Sequence, residues 1–129
     1  MGKILIIDDD EAFVSLMTKY IRRDYKLLEV ETCTNPVTAL GCLSTDFDLV
    51  LIDLEMPSLD GMKILRFAID RGIDKNRIVI ISGRDADYLH AHFPMGSCLA
   101  VLNKHDINQK AVLDMIFKSL EKKAAAGLH

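Results

Sequence analysis

Three four-residue runs in this chain are built from isoleucine, leucine and valine alone: residues 4–7 (ILII), 49–52 (LVLI) and 78–81 (IVII). A strand with one face in water alternates apolar and polar residues, whereas a strand covered on both faces does not. Four-residue runs are too short for a buried helix and far too short to span a bilayer. They read as central strands of a sheet with helices packed on both sides.

The segments between them carry helical spacing. The first strand is expected over residues 3–7, stopped by Asp8, Asp9 and Asp10. A helix comes next over residues 11–24, with Phe13, Leu16, Met17 and Tyr20 on its apolar face. Residues 27–32 alternate, Leu28 and Val30 against Glu29 and Glu31, which suits a strand near an edge. Asn35 and Pro36 form a helix start, a capping amide with proline in the first turn. That helix is expected to carry Val37, Leu40 and Leu43 inward. A third strand over residues 49–52 ends at Asp53. A third helix from Gly61 to about Arg71 should turn Ile64, Leu65, Ala68 and Ile69 to the core. A fourth strand over residues 78–81 ends at Ser82 and Gly83. A weak helix from Asp85 to about Phe93 is closed by Pro94 and Gly96. A fifth strand over residues 99–102 ends near Lys104. The last helix runs from Asn108 to about Lys123, with Val112, Ile116 and Leu120 as its stripe.

Five strands alternating with five helices predict an α/β domain: a three-layer (βα)5 sandwich on a parallel five-stranded sheet. The first, third and fourth strands should be central and the second an edge, which fits the flavodoxin-like order 2-1-3-4-5. At 129 residues this is one domain. Residues 1–123 are assigned to it and residues 124–129 to a tail or linker stub.

Charge and cysteine content set further bounds. A net charge of −3 gives no basic excess to hold nucleic acid through phosphates. The opening MGKILIID meets Asp8 too early for a signal peptide. Cys33, Cys42 and Cys98 are too few and too scattered for a disulfide framework and are expected to be small core residues. A reducing cytoplasm is the expected compartment. His90 and His92 stand two apart, so they point to different helix faces and make a poor metal pair with Cys98. Met56 and Met62 are assigned to packing. The Lys118, Lys122 and Lys123 cluster suits a helix C-terminus.

In an open parallel sheet, ligands bind beyond the carboxyl ends of the strands, where the strand order reverses. The expected order brings Asp8, Asp9 and Asp10, then Asp53, Ser82 and Lys104, to that edge. Several carboxylates in one cleft repel each other and call for a cation or a proton. All-oxygen ligands favour a hard ion such as Mg²⁺. A carboxylate beside Mg²⁺ is a usable nucleophile towards phosphorus. Lys104 and the Ser82 hydroxyl could meet phosphoryl oxygens. Singly, each residue has an ordinary reading: Asp10 as a helix cap, Asp53 as a turn residue, Lys104 as a surface charge, Ser82 as a turn. Their joint placement at four strand ends is what points to a site.

The segments ILIIDDD (4–10), LVLIDLEMPSLDG (49–61), IVIISG (78–83) and LNKHD (102–106) together resemble the receiver domain of bacterial two-component response regulators. The resemblance covers essentially the whole chain. It implies Asp53 as phospho-acceptor, with Ser82 and Lys104 contacting the phosphoryl group. It implies Mg²⁺ held directly by Asp9, Asp53 and the backbone carbonyl of Glu55, and through water by Asp8. The implied donor is a phosphohistidine on a histidine kinase or histidine phosphotransfer protein. A downstream effector protein or domain would read the result, and a homodimer is a further option; neither a membrane nor direct nucleic-acid contact is implied. Such a domain promotes only its own phosphorylation and dephosphorylation and is not a turnover enzyme.

Three positions depart from the family pattern. His105 follows Lys104 where proline is usual, so a cis peptide is not expected there. Val101 occupies the usual place of a switch aromatic. The fourth helix region, DADYLHAHFPMG, is proline-broken. A pseudo-receiver that binds a partner without phosphorylation is the alternative. A hydrolase with an aspartate nucleophile would want Asp where Glu55 stands, and also a cap domain. A flavin protein would find its phosphate repelled by the acids. Glu55 and Arg84, each two residues beyond a strand-end site residue, are expected either to bridge across the path of an attacking water or to point separately into solvent.

Overall fold

The computed structural model describes residues 2–56, 60–94, 96–106 and 109–127. Its elements run β1 (Gly2–Ile7), α1 (Glu11–Asp24), β2 (Leu28–Cys33), α2 (Pro36–Cys42), β3 (Leu49–Asp53), α3 (Gly61–Asp70), a 3-10 turn (Lys75–Arg77), β4 (Ile78–Ser82), α4 (Ala86–His92), β5 (Ala100–Asn103) and α5 (Gln109–Ala125). The five strands form one sheet in the order β2-β1-β3-β4-β5, every neighbouring pair parallel. This is the flavodoxin-like arrangement expected from the sequence, with β2 at an edge. Pro57, in the LVLIDLEMPSLDG segment, and Asn108, the expected start of the last helix, lie outside the described residues.

Alternation along the central strands builds two cores. Leu5, Ile7, Val50, Ile52, Ile78 and Ile80 face one side, against Ala39 of α2, Ile64, Leu65 and Ala68 of α3, and Phe93. Ile4, Ile6, Leu49, Leu51, Val79 and Ile81 face the other, against Val14 and Ile21 of α1 and Leu113 and Phe117 of α5. Every residue of β3 and β4 is buried, which is why those runs show no polar alternation. Helix starts are fixed by side-chain caps: Asp10 accepts from Phe13 N–H, Asn35 from Val37, Asp60 from Met62 and Asp85 from Tyr88. After α4, Gly96 takes φ +93, a conformation that favours glycine.

Several inward assignments shift. In α1 the buried residues are Val14 and Ile21, seven apart and so two turns on; Phe13, Met17 and Tyr20 flank them half-buried, and Leu16 is exposed on the far side. Val37 is 87% exposed, because it lies about 200° around α2 from the buried Ala39. Ala39 and Leu43, one turn apart, make the buried pair of that segment, with Leu40 beside them. Ile69 and Met62 of α3 are partly exposed, on the flanks of the stripe centred on Ile64, Leu65 and Ala68. In α5 the fully covered line is Leu113 and Phe117; Val112 and Ile116 stand about 100° to one side and are only half-buried, as is Leu120. Strand β5 starts one residue later than expected, leaving Leu99 partly exposed before it. Cys33 and Cys98 are buried and Cys42 is half-buried. Helix α5 continues to Ala125, two residues beyond the expected end.

Candidate functional site

Parallel pairing in register brings the strand ends level. Ile7 pairs with Ile52, Asp53 with Ile81, and Ser82 with Asn103. The residues at and just past these ends therefore share one edge of the sheet: Asp8 and Asp9 after β1, Asp53 closing β3, Ser82 closing β4 and Lys104 after β5. Backbone hydrogen bonds carry the sheet one step further on each side. Asp8 N–H donates to Cys33 O at 3.1 Å, Leu54 N–H to Ile81 O at 2.9 Å, and Lys104 N–H to Ser82 O at 2.8 Å.

Asp8, Asp53 and Ser82 are the buried polar residues of the described chain, at 1%, 3% and 0% exposure. Buried carboxylates need partners. Lys104 supplies one, its Nζ 2.7 Å from Asp8 Oδ2 and 3.7 Å from Asp53 Oδ1. Asp8 Oδ1 accepts from Asp10 N–H at 2.9 Å and Asp53 Oδ1 from Glu55 N–H at 3.1 Å. Burial pushes the Asp53 carboxyl up to about 7; the Glu55 N–H pulls it down, the Asp8 charge raises it, and the Lys104 ammonium lowers it. For Lys104, burial favours the neutral amine, but Asp8 and Asp53 together outweigh it and the ammonium is held above its ordinary range.

One lysine does not satisfy this set. Asp8, Asp9 and Asp53 each offer an oxygen within 4.8 Å of the others. The buried Asp8 Oδ2 has the Lys104 charge beside it but no hydrogen bond of good geometry among the described residues. Three clustered carboxylates, one with a buried oxygen short of donors, suit a hard divalent cation such as Mg²⁺. Asp10 stands apart from them as the cap of α1, as expected.

Other features of the site add to the expected set. Ser82 Oγ accepts from Arg84 N–H at 3.0 Å. Asn103 clamps the loops on either side: its Nδ2 donates to Arg84 O at 2.6 Å, and its Oδ1 accepts from His105 N–H at 2.7 Å. A Cβ on Gly83 would lie 3.2 Å from Glu55 Oε2 and 3.4 Å from His105 Nε2, so both side chains crowd the rim there. The expected Glu55–Arg84 bridge is not among the ion pairs of the described residues. Arg84 instead lays its guanidinium 3.9 Å from the centre of the Tyr88 ring, which stacks in turn on His92 at 4.0 Å. Tyr88 and His92 stand four apart on α4, a spacing legible on a helix, whereas Arg84 reaches the ring from just before the Asp85 cap. No cis peptide occurs among the described residues, which agrees with His105 in place of proline.

A family model described as the response regulator receiver domain matches residues 4–117. The chain is 30% identical over 87 residues to the transcriptional regulatory protein CpxR homolog of Haemophilus influenzae, covering 67% of this chain and 37% of that protein. It is 32% identical over 66 residues to the response regulator SaeR of Staphylococcus aureus, covering 51% and 28%. It thus spans well under half the length of these relatives. Among solved structures, the Francisella response regulator 1452 receiver domain superposes with a TM-score of 0.74 at 20% identity, over 95% of this chain and 98% of that one. The response regulator TrrA from Thermotoga maritima, solved in complex with Mg²⁺-BeF, gives 0.73 at 21%, over 93% and 99%. At such identities the superpositions speak to the fold alone. The family match takes in most of the sequence and the sheet order agrees with it: the chain belongs to the response regulator receiver domain family.

Proposed function

We propose that this receiver accepts a phosphoryl group on Asp53 from a phosphohistidine of a histidine kinase or histidine phosphotransfer protein. The observation that carries the reading is the buried Asp53 carboxyl, grouped with Asp8 and Asp9 and paired with Lys104 at the carboxyl edge of the sheet. An Asp53 oxygen attacks phosphorus, the P–N bond of the donor breaks, and the imidazole leaves with the electron pair and takes up a proton. The product is an acyl phosphate on Asp53. Asp9, Asp53 and the Glu55 backbone carbonyl would hold Mg²⁺, with Asp8 behind a water, and its charge would offset that of the phosphoryl oxygens. Lys104 leaves its carboxylate partners for one phosphoryl oxygen, and the Ser82 hydroxyl donates to another.

The reaction changes the protein itself, so the domain is a switch that catalyses only its own phosphorylation and dephosphorylation. A change near Ser82 reaches Arg84 and Asn103 through the hydrogen bonds above and so alters the surface offered to an effector protein or domain. We assign residues 1–123 to the receiver and 124–129 to a tail. No described helix is long and apolar enough to cross a membrane, and a phosphohistidine partner suits a reaction in the cytoplasm. Incubation with acetyl phosphate tests the assignment. Label should appear with Mg²⁺, vanish with EDTA and be absent from Asp53→Asn. A wild type that takes no label would favour the pseudo-receiver instead.

A further inference from the structure

Lys104 has a third neighbour besides Asp8 and Asp53. Its ammonium lies 4.7 Å from the centre of the Phe13 ring. Phe13 stands in the first turn of α1, its N–H tied to the Asp10 carboxylate at 3.1 Å. Its ring is half-buried against the core beneath α1 and α5. The backbone that carries the ring is thus fixed by the cap that directly follows Asp8 and Asp9.

The three neighbours behave differently when the site reacts. The Asp53 charge changes as its oxygen forms an anhydride with the phosphoryl group, and a bound cation would draw on Asp8. A ring attracts a cation through its quadrupole, whatever the charge of the surrounding groups. It also excludes water from one side of the ammonium. Lys104 has a flexible four-carbon stem, and its head would otherwise be free to swing into solvent once its carboxylates are engaged.

We propose that Phe13 is a positioning residue for Lys104, holding the ammonium at the mouth of the site while its partner changes from carboxylate to phosphoryl oxygen. The inference rests on the phospho-acceptor reading for its functional half; the contact itself does not. A purely structural Phe13 would be replaceable by any apolar side chain of similar size. A positioning ring is replaceable only by another ring.

Phe13→Leu and Phe13→Tyr separate these. Tyrosine keeps the ring, and the groove of about 420 Å³ beside Phe13, Tyr20, Lys104 and Leu113 has room for a hydroxyl. With acetyl phosphate and Mg²⁺, labelling of Phe13→Leu should be about three- to tenfold slower than wild type, the size of effect expected from a partly desolvated cation–π contact. Phe13→Tyr should recover wild-type labelling, and thermal melts should show both variants folded. The second readout is the NMR shift of the Lys104 ε-methylene, which the ring current should move upfield of the other lysines, and which should return to their range in Phe13→Leu. A wild-type Lys104 signal among the other lysines would overturn the proposal, and so would equal labelling by wild type and Phe13→Leu. If wild type takes no label at all, the phospho-acceptor reading fails and the Lys104 shift alone decides the contact.

Discussion

Replacing Asp53 by asparagine should make the metal-free protein more stable, by an amount that depends on pH. The carboxyl is 3% exposed and pushed up to about 7 from 3.8, burial being the main cause. The folded state therefore keeps this proton to a higher pH than the unfolded chain does. Unfolding releases it between those values, so stability falls as pH rises from about 4 to about 7 and the loss is complete above. A shift of that size corresponds to on the order of 2–4 kcal/mol. Lys104, held above its ordinary range, stays charged throughout this window and adds no slope. The amide is nearly isosteric and carries no charge, so Asp53→Asn should lack this slope and gain most of that energy at about pH 8. Urea unfolding in EDTA at about pH 5.5 and about pH 8 measures both quantities. Mg²⁺ should reverse the order, stabilising wild type more at the higher pH, because it binds the ionised carboxylate. Equal stabilities of wild type and Asp53→Asn at about pH 8 would show that the buried charge costs the fold nothing.

Asp9→Ala should weaken Mg²⁺ binding at least tenfold, about 1.4 kcal/mol by calorimetric titration, without lowering metal-free stability, since it removes one of three mutually repelling carboxylates. Phe117→Ala should cost about 3–5 kcal/mol in urea unfolding, because the ring is fully buried and packs edge-on against Tyr25 at 5.5 Å. Beryllofluoride with Mg²⁺ should shift NMR signals near Asp53, Ser82 and Lys104 and leave Val101 and α5 nearly still, because a small β-branched side chain has no ring to swing; large shifts at Val101 would count against this. Arg84→Ala should change thermal stability by about 1 kcal/mol or less, because it removes a rim stack on Tyr88 and no buried charge.

The sheet is legible in the sequence because its signal is local. Four aliphatic residues in a row between turn residues mark a strand covered on both faces, and Ile4, Leu49 and Ile78 each open one. The site emerges from the same runs, since parallel strands of similar length end level, and Asp8, Asp53, Ser82 and Lys104 stand at or just past their ends. Helix phase is less legible. In α5 apolar residues surround the true line, and Val112 and Ile116 fit helical spacing as well as Leu113 and Phe117 do; only packing against the sheet selects the second pair. Val37 is misplaced by spacing alone because α2 spans just two turns, too few for the period to fix a face. The Phe13 ring beside Lys104 and the Asn103–Arg84 hydrogen bond join residues far apart in the chain, and no spacing rule connects them. Position and opposite charge point Arg84 at Glu55, whereas the partner it takes is the aromatic ring four residues on.

A phosphoryl group on Asp53 leaves a chemical trace that can be located by residue. Borohydride reduces an aspartyl phosphate to homoserine, so the protein treated with acetyl phosphate and Mg²⁺ can be reduced, digested and mapped by mass spectrometry. Homoserine should appear at position 53 and nowhere else, and not at all when Mg²⁺ is withheld. Homoserine at Asp8 or Asp9, or an Asp53 peptide that remains unmodified in labelled protein, would contradict the assignment of Asp53.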